Sequence, residues 1–141
     1  MKTMEQLFML LFLIATTVSC DRKEGTGIDI ELTEKWKLIE ILSDPGGGSG
    51  TFSKVESRKT IEFHSDGRIT SNGSICEMST EADFPSEGTF SLADSTINVK
   101  DCGFVPPFEP KFSYKDGFLF IYFPCRESCI EKYEKIGIAA L

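Results

Sequence analysis

From Leu32 onward, short runs of alternating apolar and polar residues are separated by turn signals roughly every 8 to 12 residues, the spacing of a sandwich or barrel. Residues 36–42, opening on Trp36, predict a first strand. The stretch 44–50 (Asp-Pro-Gly-Gly-Gly-Ser-Gly) cannot continue a regular element. Residues 60–64 alternate again, with Ile61 and Phe63 on one face and His64 on the other. Asp66-Gly67 then predicts a tight turn, because glycine takes positive φ cheaply, and 68–72 returns to form the clearest hairpin. Residues 77–87 are polar and predict a loop. The next strand pair is 89–92 and 96–99, turned at Ala93-Asp94-Ser95, and 104–110 is a proline-stiffened connection. Residues 111–115 place Phe112 and Tyr114 on one face. A second Asp-Gly, at 116–117, leads into 118–123, which is apolar on both faces, as in a strand covered on both sides. In the tail, 129–136, Ile130, Tyr133 and Ile136 have helical spacing, but a strand there would close the sheet and remove its open edges. The expectation is an all-β, antiparallel up-and-down barrel of about eight strands, formed by residues 32–141.

The start of the chain has a different pattern. Lys2 precedes an apolar stretch from Leu7 to Val18, which is shorter than the ~20 residues a helix needs to span a bilayer. Basic start, apolar middle and small residues at the end describe a secretory signal peptide. Its end, Val18-Ser19-Cys20, resembles the lipobox of bacterial lipoproteins, although Thr17 stands where that motif usually has leucine. The resemblance implies cleavage after residue 19 and acylation of Cys20. Residues 20–31 then read as the acylated cysteine and a polar, glycine-bearing tether. Acyl chains at ~0.8 kcal/mol per buried CH₂ would hold the chain on a membrane.

There are five cysteines. Setting Cys20 aside for lipid leaves an even set, Cys76, Cys102, Cys125 and Cys129, in an exported chain. Four cysteines allow three pairings. The favoured one is Cys76–Cys102, between ends of strands expected to share a sheet, with Cys125–Cys129 across a short turn after Pro124. The Cys-x-x-x-Cys spacing of the second pair, with no other close pair, does not make a tetrahedral zinc site.

A tryptophan in the first strand of such a meander resembles the lipocalin-like families, whose opening motif is Gly-x-Trp. Here the motif reads Glu34-Lys35-Trp36-Lys37-Leu38-Ile39, with Glu34 at the glycine position. More narrowly, Trp-Lys-Leu at the start, the Ser-Asp-Pro-Gly-rich loop, a strand ending in Asp-Gly and late cysteines are similar to small lipocalin-like lipoproteins of Gram-negative bacteria. The resemblance covers about residues 32–136. It implies an up-and-down barrel, often with a cavity for a small apolar ligand, and a first loop over the barrel mouth. It further implies that Trp36 closes the barrel base, with a basic residue, Arg126 or Lys132, packed over its ring.

Charge and composition narrow the function. Lys and Arg number 15 against 22 Asp and Glu, a net charge of −7. That balance argues against nucleic acid, whose phosphates need clustered Lys and Arg, and equally against a polybasic grip on anionic lipid. With one histidine, His64, no His-rich metal site is possible. The chain has no Gly-x-Ser-x-Gly, no His-Glu-x-x-His, and no Gly-Lys-Ser/Thr after its glycine loop, and the acidic residues look like solvated faces. No catalytic or metal residue and no cofactor is therefore expected. Phe112, Tyr114, Phe118, Phe120 and Tyr122 cluster in one hairpin, as core or as the lining of an apolar pocket. The expected protein is a non-enzymatic lipoprotein, exported and lipid-anchored to the bacterial cell envelope, at the outer membrane, whose barrel binds a small apolar ligand or an envelope partner. The alternative is a structural or interaction lipoprotein with a filled barrel and no ligand.

Overall fold

The computed structural model describes residues 32–103 and 109–137. Residues 1–31, where the expected signal peptide, Cys20 and tether fall, lie outside the described residues, as do residues 104–108 of the proline-bearing connection and residues 138–141. The described chain forms β1 (Lys35–Ser43), β2 (Ser53–Lys54), β3 (Thr60–Phe63), β4 (Arg68–Ser71), β5 (Ser86–Ser91), β6 (Thr96–Val99), β7 (Lys111–Lys115), β8 (Phe118–Phe123) and β9 (Cys129–Lys135). All pairings are antiparallel, neighbours follow chain order, and β1 pairs with β9. The sheet thereby closes on itself as an eight-strand barrel, with β2 prolonging the β3 arm along the same edge of β1. The expected all-β up-and-down barrel is the fold, and the tail is a strand that closes it.

Alternation decides what faces inward. Leu119, Ile121 and Phe123 of β8 are buried, whereas Phe118, Phe120 and Tyr122 stand on the outer face. The run 118–123 is therefore covered on one side, not two. Tyr122 is 39% exposed. The core is Trp36 and Leu38 from β1, Ile61 and Phe63 from β3, and inward residues of β4, β6, β7, β8 and β9. Phe63 packs edge-on against Phe90 at 4.9 Å and lies 5.3 Å from Phe112. Burial at ~25 cal/mol per Å² of apolar surface is the main term holding such a barrel closed.

Turn chemistry sets the register. At Asp116-Gly117 both residues have positive φ, 53° and 82°, which matches the right-handed strand twist of a two-residue hairpin. At Asp66-Gly67, Gly67 takes φ 84°, while the Asp66 carboxylate accepts from the Arg68 backbone N–H at 3.0 Å and from its Nε at 2.8 Å.

Two irregularities shape the wall. Between Leu38 and Glu40, β1 slips register against β9. A bulged residue inverts the side-chain order. Trp36 and Leu38 point in before it. After it Ile41 packs on the core, and Glu40 pairs with Lys132 at 2.7 Å. On the other edge, residues 55–59 leave the ladder between β2 and β3. Val55 N–H to the Ile39 carbonyl and Leu38 N–H to the Lys59 carbonyl, both 3.0 Å, keep them attached. Lys59 turns into the barrel at this break.

Strand directions define two ends. Trp36, the 64–67 turn and the 116–117 turn share one end; the 44–52 loop, the 72–85 loop and the 124–128 turn share the other, the mouth.

Candidate functional site: the barrel interior and the loop that plugs it

A guest inside this barrel would have to lie between Trp36 at the base and the loops of the mouth. The base is closed by Trp36 itself. Its ring is fully buried, its Nε1–H donates to the Leu32 carbonyl at 3.2 Å, and Tyr114 meets it edge-on at 5.8 Å. Tryptophan suits this position because the ring fills a large volume and its N–H still finds an acceptor.

The basic residue expected over that ring is elsewhere. Arg126 lies in the 124–128 turn at the mouth, while Trp36 is paired with Lys135 at the far end of β9. Lys132 is on the outer face of β9, 4.3 Å from the Phe118 ring and paired with Glu40. Neighbouring positions on a strand face opposite ways, so Lys132 cannot share the inward face of Tyr133.

The mouth is closed by residues 72–85, which join β4 to β5. Their composition is polar, yet Ile75 is fully buried in the core and Met78 packs against it. Ser79 reaches an ionic network inside the barrel. Lys59 Nζ donates to both oxygens of Glu131, at 2.8 and 2.9 Å, and to the Ser79 carbonyl at 3.0 Å. The Ser79 N–H donates to Glu131 Oε1 at 2.9 Å, and the Tyr133 hydroxyl donates to Oε2. All three ammonium protons are used, and both carboxylate oxygens are shared. Both side chains are 0% exposed. Lys59 also lies 5.8 Å from the Phe123 ring.

Burial pushes the Glu131 carboxyl up from its usual range, against the pull of Lys59 and the hydrogen bonds it accepts. Burial likewise pushes Lys59 down, against the pull of Glu131. Tyr133 is raised well above the ordinary phenol value, by burial first and by the Glu131 charge second, so it remains a hydroxyl donor. Such a network, sealed from solvent, holds the loop in place.

Further ties fix the loop. Cys76 is joined to Cys102 beyond the end of β6, with Cα atoms 5.3 Å apart. Ser57 Oγ donates to the Thr80 carbonyl at 2.7 Å, and Ser86 Oγ donates to the Gly73 carbonyl at 2.7 Å. The second expected disulfide, Cys125–Cys129, is also present and clips the 124–128 turn. The glycine loop, 44–50, stands at the rim of the mouth. It is largely exposed, with Gly46, Gly47 and Gly48 at positive φ.

The five hairpin aromatics do not line one pocket. Phe112 and Tyr114 face inward opposite Ile121 and Leu119, whereas Phe118, Phe120 and Tyr122 face out. Concavities on the outside include a groove of about 480 Å³ beside the Cys76 end of the loop, lined by Ser74, Phe84 and Lys100 among others. Another, of about 340 Å³, lies at the base between Leu32, His64 and Phe90. His64 is half-buried, with Nε2 2.8 Å from the Thr70 hydroxyl. Among the described residues no three His, Cys, Asp or Glu side chains converge to hold a metal ion.

Lys59 and Glu131 are not among the residues singled out by the sequence pattern. The available signal was parity: Glu131 shares the inward face of Tyr133 once the tail is a strand. Comparison of the chain with protein-family models, with curated proteins and with solved structures returns no match.

Proposed function

We propose that the chain is an exported lipoprotein of the bacterial cell envelope, held at the outer membrane by acyl chains on Cys20. Its barrel is a filled, non-catalytic body that acts through its outer surface and mouth loops. The observation that supports this over a ligand carrier is the occupancy of the interior. Trp36 closes the base, Ile75 and Met78 of the 72–85 loop enter the mouth, and the Lys59–Glu131 pair occupies the space between. A lipocalin-type carrier holds its guest inside the barrel, in an apolar pocket of ≈ 300 Å³ or more, whereas the concavities of about 480 and 340 Å³ lie beside the Cys76 end of the loop and between Leu32, His64 and Phe90, not in the plugged interior. The signal segment with its lipobox-like end supports the anchor, and the similarity of the Trp36-Lys37-Leu38 opening to lipocalin-like lipoproteins supports the class.

Two measurements test the proposal. Native mass spectrometry of protein purified from its own source should show the acylated chain with no additional guest mass. A stoichiometric small-molecule adduct would restore the carrier. Cys20→Ser should shift the protein from the membrane to the soluble fraction, and unchanged membrane fractionation would remove the lipid anchor.

A further inference from the structure

The outer wall of the barrel is polar on β3 to β7. Outward positions there are residues such as Glu62, Thr70, Thr89, Asn98 and Ser113. Strand β8 breaks this rule with Phe118, Phe120 and Tyr122 in a row on the outside. The row is widened by neighbours. Ile130 of β9 stands beside Tyr122, Leu42 of β1 stands beside Ile130, and the exposed Phe52 ring packs edge-on to Phe120 at 6.0 Å. These rings are not part of the barrel core, and together they form a contiguous partly exposed apolar row.

Charge on this wall is also unlike the rest. The chain is acidic overall, but the strands around β8 present lysine: Lys35 and Lys37 on β1, Lys54 on β2, Lys111 and Lys115 on β7, and Lys132 on β9. Lys111 stands directly beside Tyr122, and Lys115 beside Phe118. The outward carboxylates among them are Glu40, already paired with Lys132, and Glu134. On β3 to β5, by contrast, the outward charged residues are Glu62, Arg68 and Glu87, with Arg68 bonded to Asp66. The net charge of −7 therefore conceals a basic, aromatic face.

We infer that this face docks on an anionic bilayer surface, with the aromatic row in the interfacial layer and the lysines on the lipid phosphates. Aromatic and aliphatic side chains flanked by lysine are the composition that settles in that layer. A lysine brought near an anionic surface is attracted to it, and its apolar stem lies along the boundary while the ammonium reaches the headgroups. The inference rests in part on the proposed anchor. Residues 20–31 reach at most about 40 Å when extended, longer than the ~30 Å of the longest barrel strand, so an acylated Cys20 keeps this wall within reach of the membrane. The described chain begins at Leu32, at the Trp36 end of the barrel, where Phe118 also lies.

The test uses the full acylated protein in vesicles of phosphatidylcholine and phosphatidylglycerol whose acyl chains are brominated. Tyr122→Trp places a reporter on the face, and Thr89→Trp places one on the opposite, polar wall; buried Trp36 supplies a constant background. Bromine should lower the emission of Tyr122→Trp by about two-fold and leave Thr89→Trp nearly unchanged, as expected for side chains held at the acyl boundary. Reversing Lys111 and Lys115 to glutamate should weaken the quenching on anionic vesicles and leave it alone on neutral ones. Equal quenching at both reporters, or none at position 122, overturns the inference whether or not the chain is anchored. An intact mass without acyl chains, together with quenching at 122 on vesicle addition, would remove the anchor and keep the docking face. A reporter at 122 already shielded from iodide before vesicles are added, in a protein that sediments as a dimer, would assign the face to a second copy instead.

Discussion

Lys59 and Glu131 bring opposite charges into a space that aliphatic side chains would fill with no charge to desolvate. The geometry limits the cost: the pair is bidentate, and the remaining hydrogen-bonding capacity goes to Ser79 and Tyr133. Buried pairs of this kind add little net stability, but removing one partner strands the other. Lys59→Met should therefore cost about 3 to 5 kcal/mol at neutral pH. In that variant Glu131 keeps its burial and loses the cation that opposed it, so its folded-state pKa rises further above the unfolded value of about 4.3. A raised carboxyl pKa penalises folding at every pH above the unfolded value, in full above the folded-state pKa. The penalty therefore shrinks as pH falls from neutral toward the unfolded value. Urea unfolding at several pH values should show Lys59→Met regaining most of its deficit near pH 4, by up to 1.36 kcal/mol per unit. A constant deficit would mean that Glu131 stays ionised without its partner. Adding Glu131→Gln, whose one carbonyl oxygen can accept from the Ser79 N–H while its amide donates to the Tyr133 hydroxyl oxygen, should recover part of the loss at pH 7.

The element that depends on this pair is the 72–85 loop. It is a plug without secondary structure of its own, held by Ile75, by Ser79 and by the Cys76–Cys102 bridge. Gly73 shows how closely it is fitted, since a Cβ there would stand 2.3 Å from the Glu81 carbonyl oxygen and 2.9 Å from Lys59 Cγ. The bridge joins residues 26 apart, and losing it should cost about 3 to 4 kcal/mol in the chain-entropy model. Cys76→Ala with Cys102→Ala should also speed amide exchange in the plug more than in β8 and β9, which proton-exchange mass spectrometry would resolve. Uniform acceleration would show that the bridge acts on the unfolded chain and not on the plug. The strands were legible in the sequence because a period of two leaves its mark wherever one face is polar, and the two Asp-Gly pairs announced their turns. Strand β2 was not, since two residues carry no period. Residues 77–87 read as a polar loop, because the plug's burial rests on two apolar side chains and a backbone amide within a polar stretch. Lys59 and Glu131 were hidden for a related reason: which face of a strand turns inward is known only once its register is. The resemblance puts Arg126 or Lys132 over Trp36, whereas turn position and strand parity put both elsewhere. The same parity divides the hairpin aromatics between core and surface.

At the scale of the whole molecule, closure makes the barrel one cooperative body, because β1 is held by β3 on one side and β9 on the other. Its thinnest seam lies between β6 and β7, where one residue pair, Thr96 with Lys111, is in register. Flanking bonds from Ile97 N–H to the Pro110 carbonyl at 2.8 Å and from Phe112 N–H to the Ser95 carbonyl at 3.0 Å extend the contact. Across such a seam, packing inside the barrel matters more than the ladder. Trp36 is the largest fully buried side chain and joins three parts of the structure: its own strand, the entering residue Leu32, and Tyr114 of β7. Trp36→Ala should remove about 3 to 5 kcal/mol, a large fraction of the 5 to 15 kcal/mol that holds a typical domain folded. Trp36→Phe keeps much of the ring volume, loses the bond to the Leu32 carbonyl, and should cost less than the alanine variant, with about 1 kcal/mol from the hydrogen bond. The single tryptophan makes its environment directly observable. Iodide should leave the native emission unquenched and gain access on unfolding, with fluorescence and far-UV circular dichroism giving coincident transitions. Iodide quenching in the native protein would mean that the base of the barrel opens in solution, and a fluorescence transition ahead of the loss of strand signal would mean that the base melts before the wall.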